Sequence, residues 1–249
     1  MAQFPSAWPS QRPLIFAHRG ASHAAPQNTL AAFRKALEMG ADGVELDVHL
    51  SADGVPVVIH DERVDTTTNG SGAVADLTLA QLRALDAGAR FDPAFAGERI
   101  PTLEEVLTAF GQQLLINIEL KAFLRRDDAL EAAVVALVRR LGLTERVWFS
   151  SFKPYALAQA RALAPEIPCG LLYDPLSFGA RLFGPITPHE ALHPHHGLLT
   201  EARIRRAHRH GLWVVTWTVD DVTRARTLAA WGVEGLITNE PDRLLAALR

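Results

Sequence analysis

The stretch Val44–Asp61, VELDVHLSADGVPVVIHD, decides the fold. It contains two strand-like runs, Val44–Leu50 and Val55–His60, separated only by Ser51-Ala52-Asp53-Gly54. Asp-Gly is a hairpin signal, and a parallel pairing would need a crossover of about a dozen residues. The two runs are therefore expected to be antiparallel neighbours. Pairing Leu50 with Val55 sets Glu45 opposite His60, with Asp47 two residues along on the same face.

Seven further runs have strand character: Leu14–Ala17, Leu114–Leu120, Val147–Phe152, Cys169–Tyr173, a weak one near Ala191–His193, Trp213–Val219 and Gly235–Thr238. Amphipathic stretches lie between them, at Leu30–Leu37, Leu103–Phe110, Ala129–Leu141, Tyr155–Leu163, Glu201–His210 and Val222–Trp231. Asn28-Thr29 and Pro101-Thr102 open two of these, and Gly40, Gly111 and Gly142 stop three. Strand–helix alternation of this kind makes a parallel sheet with crossover helices. Nine runs are one too many for a closed eight-stranded barrel, and the hairpin absorbs the extra one. The expected fold is an α/β chain in one domain over residues 1–249, a (β/α)8 barrel. The stretch 61–100 fits no strand–helix unit and is read as a small insertion after the hairpin, rising over one end of the barrel.

Composition narrows the function. The chain is 48% hydrophobic and 21% charged, with a formal net charge of −3. That gives no electrostatic case for nucleic acid or anionic membranes. No apolar run approaches the ~20 residues of a membrane span, so stable membrane insertion is not expected. The first residues, MAQFPSAWPSQRP, lack the cationic start and apolar core of a signal peptide, and a cytoplasmic enzyme is the default. Cys169, the one cysteine, lies in an apolar run and reads as a buried structural thiol. The sequence sets no oligomeric state.

In such barrels active sites lie at the C-terminal strand ends. Strand one ends in His18-Arg19-Gly20; strand two carries Glu45 and Asp47; its hairpin partner ends in His60-Asp61. The next strand carries Glu119 and Lys121, and another ends in Ser150-Ser151-Phe152. Glu45 shares a face with Asp47, as Glu119 does with Lys121. Carboxylates facing a barrel interior are costly unless paired or bound to a cation. Two readings stand: an all-oxygen site for Mg²⁺ or Ca²⁺ on Glu45, Asp47 and Glu119, or an ion-pair cluster of Glu45 and Glu119 against Arg19 and Lys121. His18 and His60 fall at neighbouring strand ends, where one can accept a proton and the other donate it. Arg19 offers a planar fork and Lys121 a point charge, as an anionic phosphate requires. This inventory suits phosphoester cleavage better than glycoside hydrolysis, which needs only paired carboxylates. Phe152 and Trp217 form either an apolar wall of a substrate pocket or plain core. His189, His193, His195 and His196 are read as an irregular sixth strand and its loop, with His193 near a strand end; a transition-metal site is the alternative.

The chain resembles the glycerophosphodiester phosphodiesterase family, most closely its cytoplasmic bacterial type. The resemblance rests on His18-Arg19-Gly20, Pro26-Gln27-Asn28-Thr29-Leu30, Glu45-Leu46-Asp47, and Asp53-Gly54 with Val57-Val58-Ile59-His60-Asp61. It continues through Thr66-Thr67-Thr68-Asn69-Gly70, Pro101-Thr102-Leu103, Asn117-Ile118-Glu119-Leu120-Lys121, Ser150-Ser151-Phe152, Trp217-Thr218-Val219 and Gly232 to Pro241. It implies a TIM barrel of the phospholipase-C-like phosphodiesterase type. It implies hydrolysis of a glycerophosphodiester to glycerol 3-phosphate and an alcohol, with Glu45, Asp47 and Glu119 on Mg²⁺ or Ca²⁺. It further implies His18 and His60 as the acid/base pair, and Arg19 and Lys121 on the phosphate. The alternatives are lysophospholipase D-type cleavage, using an acyl groove near Leu176, Phe178, Leu182 and Phe183, and a non-catalytic phosphodiester-binding barrel. One residue departs from the family pattern: Gln27 stands where the family has glutamate, either as a tolerated variant or as a lost charge that weakens metal binding or misorients His18 or Arg19.

Overall fold

The computed structural model describes residues 12–122, 129–177, 179, 182 and 184–248. Nine strands form one sheet: β1 Leu14–His18, β2 Gly43–Leu50, β3 Pro56–Val58, β4 Leu115–Leu120, β5 Val147–Ser151, β6 Cys169–Tyr173, β7 Ala191–Pro194, β8 Trp213–Thr216 and β9 Gly235–Thr238. The order runs β1-β9-β8-β7-β6-β5-β4-β2, and β1 pairs with β2 to close an eight-stranded parallel barrel. β3 hangs antiparallel on β2, outside the ring. The surplus run is thus a hairpin arm, as its four-residue separation requires.

The hairpin register differs from the sequence expectation by one residue. Leu50 faces Pro56 and Val48 faces Val58. The Ser51 N–H donates to the Val55 carbonyl at 3.0 Å, so the loop is three residues, Ala52-Asp53-Gly54, rather than four. Gly54, at φ 79°, supplies the left-handed residue this loop needs. A one-residue slip moves side chains to the opposite face, and the ladder does not set His60 against Glu45. β3 ends at Val58, two residues before His60, and the chain beyond it turns toward the site.

Helices cover the barrel, and their starts carry the caps the sequence signalled. Thr29 caps Leu30–Glu38 and Thr102 closes a capping box with Glu105 on Leu103–Phe110. A further helix, Pro241–Leu248, follows β9; the sequence reading stopped at the strand and missed it. The major core lies between barrel and helices, where Val44, Leu46, Ile116, Ile118 and Phe149 meet Phe33, Val106, Leu107 and Val134. Inside the barrel, the lower layer is apolar: Leu14, Phe16, Leu115, Trp148, Ala191, Val215 and Ile237. Phe16 meets Trp148 edge-on at 4.9 Å, and a Cβ at Gly43 would come within 2.5 Å of the Phe16 ring. Above β3, residues 61–100 fold around a satellite core in which Val57 and Ile59 meet Val64, Val74, Leu82 and Ile100. Among the described residues no helix is long and apolar enough to cross a membrane.

Candidate active site

The apolar lower layer gives way to polar side chains at the C-terminal strand ends. Strand alternation carries Glu45 and Asp47 on β2 and Glu119 on β4 into the barrel mouth, where all three are buried. One carboxylate oxygen from each lies within 4.8 Å of the others. The register explains this meeting: Asp47 faces Glu119 directly across the β2–β4 pair.

Two cations enter the same space. The Lys121 ammonium lies 3.0 Å from Asp47 Oδ1 and 2.6 Å from Glu119 Oε1. Arg19 Nε lies 3.4 Å from Asp47 Oδ2, and Arg19 Nη1 donates to Gln27 Oε1 at 2.7 Å. Asn28 Nδ2 adds a hydrogen bond to Asp47 Oδ2 at 2.9 Å. Arg19 and Asn28 both have left-handed backbones, φ 56° and 57°, an uncommon state for residues with a Cβ. Gly20 between them has no such choice: a Cβ there would sit 2.6 Å from Ala32 of the first helix.

The ion-pair reading therefore holds for Asp47 and Glu119, but with Asp47 in the place expected of Glu45. Among the described residues the Glu45 carboxylate receives only the Arg19 backbone N–H, at 3.2 Å, and the edge of His18, whose Nε2 is 4.0 Å away. Burial raises the Glu45 carboxyl well above the usual carboxylate range, with Asp47 and Glu119 adding to the rise. Burial likewise pushes Glu119 up, to about 7, against the pull of Lys121. Burial would raise Asp47 too, but Lys121 and Arg19 hold it well below its ordinary value. Lys121 is opposed by burial and carried above its usual value by Asp47 and Glu119. Three carboxylates against two cations leave the site one negative charge in excess, and the chain meets it by favouring protonation. The donor set is all oxygen and converges on one point, which fits a hard divalent cation. The Asn117 amide, just below, has no hydrogen-bond partner at either end among the described residues.

The two histidines flank this cluster. His18 ends β1, and its Nδ1 lies 2.7 Å from Asn239 Oδ1. Burial, with Arg19 beside it, lowers His18 to about 4, so the ring is neutral near pH 7. His60 Nδ1 lies 2.6 Å from Asp61 Oδ1, and burial lowers this ring as well. A cavity of about 140 Å³ joins His18, Arg19, Glu45, His60 and Glu119 to an apolar wall of Phe152, Leu172 and Trp217. Phe152 and Trp217 meet edge-on at 5.5 Å, and Trp217 Nε1 donates to the His193 carbonyl at 2.8 Å. The two aromatic residues thus line the cavity. A wider cavity of about 350 Å³ opens beside it, past His60, Glu119 and Lys121 to Lys153.

The histidine run does not converge. His189 Nδ1 donates to the Thr187 carbonyl, His193 is fully buried, and His195 packs edge-on against Trp217. Cys169 is buried, and burial pushes its thiol up to about 12. Of the apolar residues weighed for an acyl groove, Leu176 and Leu182 are exposed, while Phe178 and Phe183 lie outside the described residues. The sequence reading missed Asn28, Asp61 and Asn239 as partners of site residues. Asn28 and Asp61 carried local signals, the first beside Gln27 in a cap sequence and the second directly after His60.

Comparison with known proteins agrees with this geometry. The model of the glycerophosphoryl diester phosphodiesterase family matches residues 18–243. A glycerophosphodiester phosphodiesterase of Caldanaerobacter subterraneus subsp. tengcongensis is 40% identical over 242 residues, covering 95% of this chain and 98% of that protein. The structure of an Oleispira antarctica phosphodiesterase in complex with the product sn-glycerol-3-phosphate superposes with a TM-score of 0.85 at 32% identity, over 95% of this chain and 96% of the other. A glycerophosphodiester phosphodiesterase from Agrobacterium tumefaciens gives a TM-score of 0.82 at 34% identity, over 94% and 99%. The chain belongs to the glycerophosphoryl diester phosphodiesterase family.

Proposed function

We propose that this chain hydrolyses glycerophosphodiesters to sn-glycerol 3-phosphate and an alcohol, in one barrel domain with residues of about 61–100 as an insertion. The observation that carries the reading is the cluster of three carboxylates and two cations beside a small cavity that both histidines line. Glu45, Asp47 and Glu119 would hold Mg²⁺ or Ca²⁺. When bound, the cation neutralises charge on the phosphoryl oxygens and on the attacking hydroxyl.

The chain's own residues supply the remaining steps. Arg19 and Lys121 bind the phosphate, the first as a fork and the second as a point charge. Arg19 is held for this by Gln27 and Asp47, and Lys121 by Asp47 and Glu119. Of His18 and His60, one takes the proton of the glycerol hydroxyl that attacks phosphorus, and the other protonates the departing alcohol; water then opens the cyclic phosphate so formed to glycerol 3-phosphate, with the two roles reversed. Phe152 and Trp217 exclude water on one side and contact the glycerol or the alcohol.

The deciding experiment assays a panel of glycerophosphodiesters for glycerol 3-phosphate release, with chelator and with Mg²⁺ or Ca²⁺ restored. Release that stops with chelator and returns with metal is expected. Release unaffected by chelator removes the metal from the reading, and no release from any diester leaves a non-catalytic binding barrel.

One observation favours a second reading. Leu176, Leu182 and Ile186 are exposed in the segment that follows β6, at the site's end of the barrel. An apolar rim there suits an acyl chain, and faster cleavage of lysophosphatidylcholine than of glycerophosphocholine would make lysophospholipids the preferred substrate.

A further inference from the structure

His18 is tied to a chain of polar side chains with a fixed direction. Its Nδ1 lies 2.7 Å from Asn239 Oδ1, which also accepts a hydrogen bond from Ser22 Oγ at 2.8 Å. The Asn239 Nδ2 donates to Asp220 Oδ2 at 2.7 Å. Asp220 Oδ1 accepts from the Asn239 backbone N–H and from Thr238 Oγ1, both at 2.8 Å.

These contacts leave no freedom in the amide. An ionised carboxylate only accepts, so Asp220 must face the NH₂ of Asn239. The carbonyl of Asn239 must then face His18, and it too only accepts. The hydrogen between them belongs to His18 Nδ1. In the neutral ring the other nitrogen, Nε2, carries the lone pair. That nitrogen looks toward the acidic cluster, 4.0 Å from Glu45 Oε2.

We propose that Asp220 and Asn239 are positioning residues that lock His18 in its Nδ1-protonated tautomer, so that Nε2 takes the proton of the attacking hydroxyl. The inference rests on the hydrolytic reading above and deepens it by naming the residues that position His18. The hydroxyl O–H bond breaks, the proton goes to His18 Nε2, and the oxygen keeps the electron pair with which it bonds to phosphorus. As the P–O bond to the alcohol breaks, the departing oxygen takes a proton from His60. Asp61 Oδ1, 2.6 Å from His60 Nδ1, is a carboxylate that supports the imidazolium giving this proton, against the burial that favours the neutral ring.

The test combines a spectrum with an exchange of side chains. Long-range ¹H–¹⁵N correlation on the ¹⁵N-labelled full chain reads which nitrogen of His18 is protonated, with no substrate present, and His18→Gln identifies the signal. The wild-type ring should be protonated at Nδ1. Asn239→Leu should lose that signature and lower kcat on the order of 100-fold with KM within about threefold, the size expected of a disabled proton acceptor. The double variant Asp220→Asn, Asn239→Asp exchanges the pair. The carboxylate, moved to the second position, would accept from His18, and the amide, moved to the first, would donate to that carboxylate. This variant should recover the Nδ1 signature and most of the lost kcat.

A wild-type ring protonated at Nε2 overturns the proposal. So does a kcat in Asn239→Leu within threefold of wild type. A folded double variant, melting within a few degrees of wild type, that recovers no more activity than Asn239→Leu also overturns it. If the wild-type chain hydrolyses no diester, the functional reading fails by itself, and the tautomer is still decided by the spectrum.

Discussion

The two ends of the barrel handle acidic side chains in opposite ways. At the end where the strands begin, Asp42, Glu190 and Glu234 each stand one residue before a strand. Each accepts a backbone N–H from the neighbouring strand: Ile15 at 2.8 Å, Cys169 at 2.9 Å and Val214 at 2.7 Å. Each also has one basic partner, Arg12, Arg161 and His208 in turn. There, one acid meets one base, and the pair stitches two strands together. At the other end, Glu45, Asp47 and Glu119 share two cations, and Asp47 draws contacts from both. Polar atoms are left over as well: among the described residues the Asn117 amide, Ser150 Oγ and both ring nitrogens of His193 have no hydrogen-bond partner. A fold that pairs its acids one to one below and crowds them above gives up stability at the upper end for binding.

The largest expected effect tests that division. Glu45→Gln should lower turnover by about 10³-fold, several kcal/mol of transition-state stabilisation, by removing one oxygen from the metal cluster. It should leave the melting temperature of the metal-free protein unchanged or raised, because the amide does not carry the cost of burying an ionisable carboxyl. Calorimetry with and without Mg²⁺ checks both: the wild type should gain about 2.7 kcal/mol at metal 100-fold over Kd, and Glu45→Gln far less. A clear loss of metal-free stability would mean that Glu45 is structural like its counterparts below.

The mirror substitution is Glu190→Gln. It leaves Arg161, mostly buried, without its carboxylate. A loss of about 3 kcal/mol is expected, or roughly 6–12 °C in Tm for a chain of this size. At temperatures where the variant is folded, kcat should match wild type. A fall in kcat without a fall in Tm would break the contrast between the ends.

pH distinguishes the ends a third way. Burial pushes Glu119 up to about 7, so between the ordinary carboxylate range and that value the folded, metal-free chain holds a proton that the unfolded chain has released. Stability from this group is therefore present at low pH and lost as pH rises through about 7. Metal must displace the same proton, so affinity should tighten at least about tenfold per pH unit below 7. Isothermal titration across pH 5–8 reads this directly. A flat affinity would mean that the cluster binds metal without releasing a proton.

How much of this was legible in the sequence follows from the range of each interaction. Glu45 and Asp47 could be placed on one face because strand alternation is local, and eight strand ends could be read in order for the same reason. The hairpin register failed by one residue because it depended on whether Ser51 belongs to the loop or the ladder, and only its 3.0 Å bond to Val55 settles that. The partners of His18 were out of reach altogether. Asn239 is 221 residues away in the chain and reaches His18 because β9 pairs with β1, and Asp220 reaches Asn239 because β8 pairs with β9. Local pattern finds groups that face the cavity; it does not find the side chains that hold them.

Gln27 carries the smallest effect and the sharpest test of how far the upper end tolerates crowding. Its Oε1 already accepts from Arg19 Nη1 at 2.7 Å, the bond a glutamate would make with a charge added. Gln27→Glu would therefore keep the position of Arg19 and put a fourth carboxylate at the end that is already one negative charge in excess. The new charge attracts metal, but it also draws Arg19 away from a phosphate. A partly exposed pair of this kind contributes about 1 kcal/mol or less. Metal affinity should rise by no more than about fivefold, and kcat/KM should change by less than about threefold. Parallel titration and kinetics measure both. A rise in turnover beyond tenfold would show that the natural site lacks an acid it needs, and that three carboxylates at this end are too few.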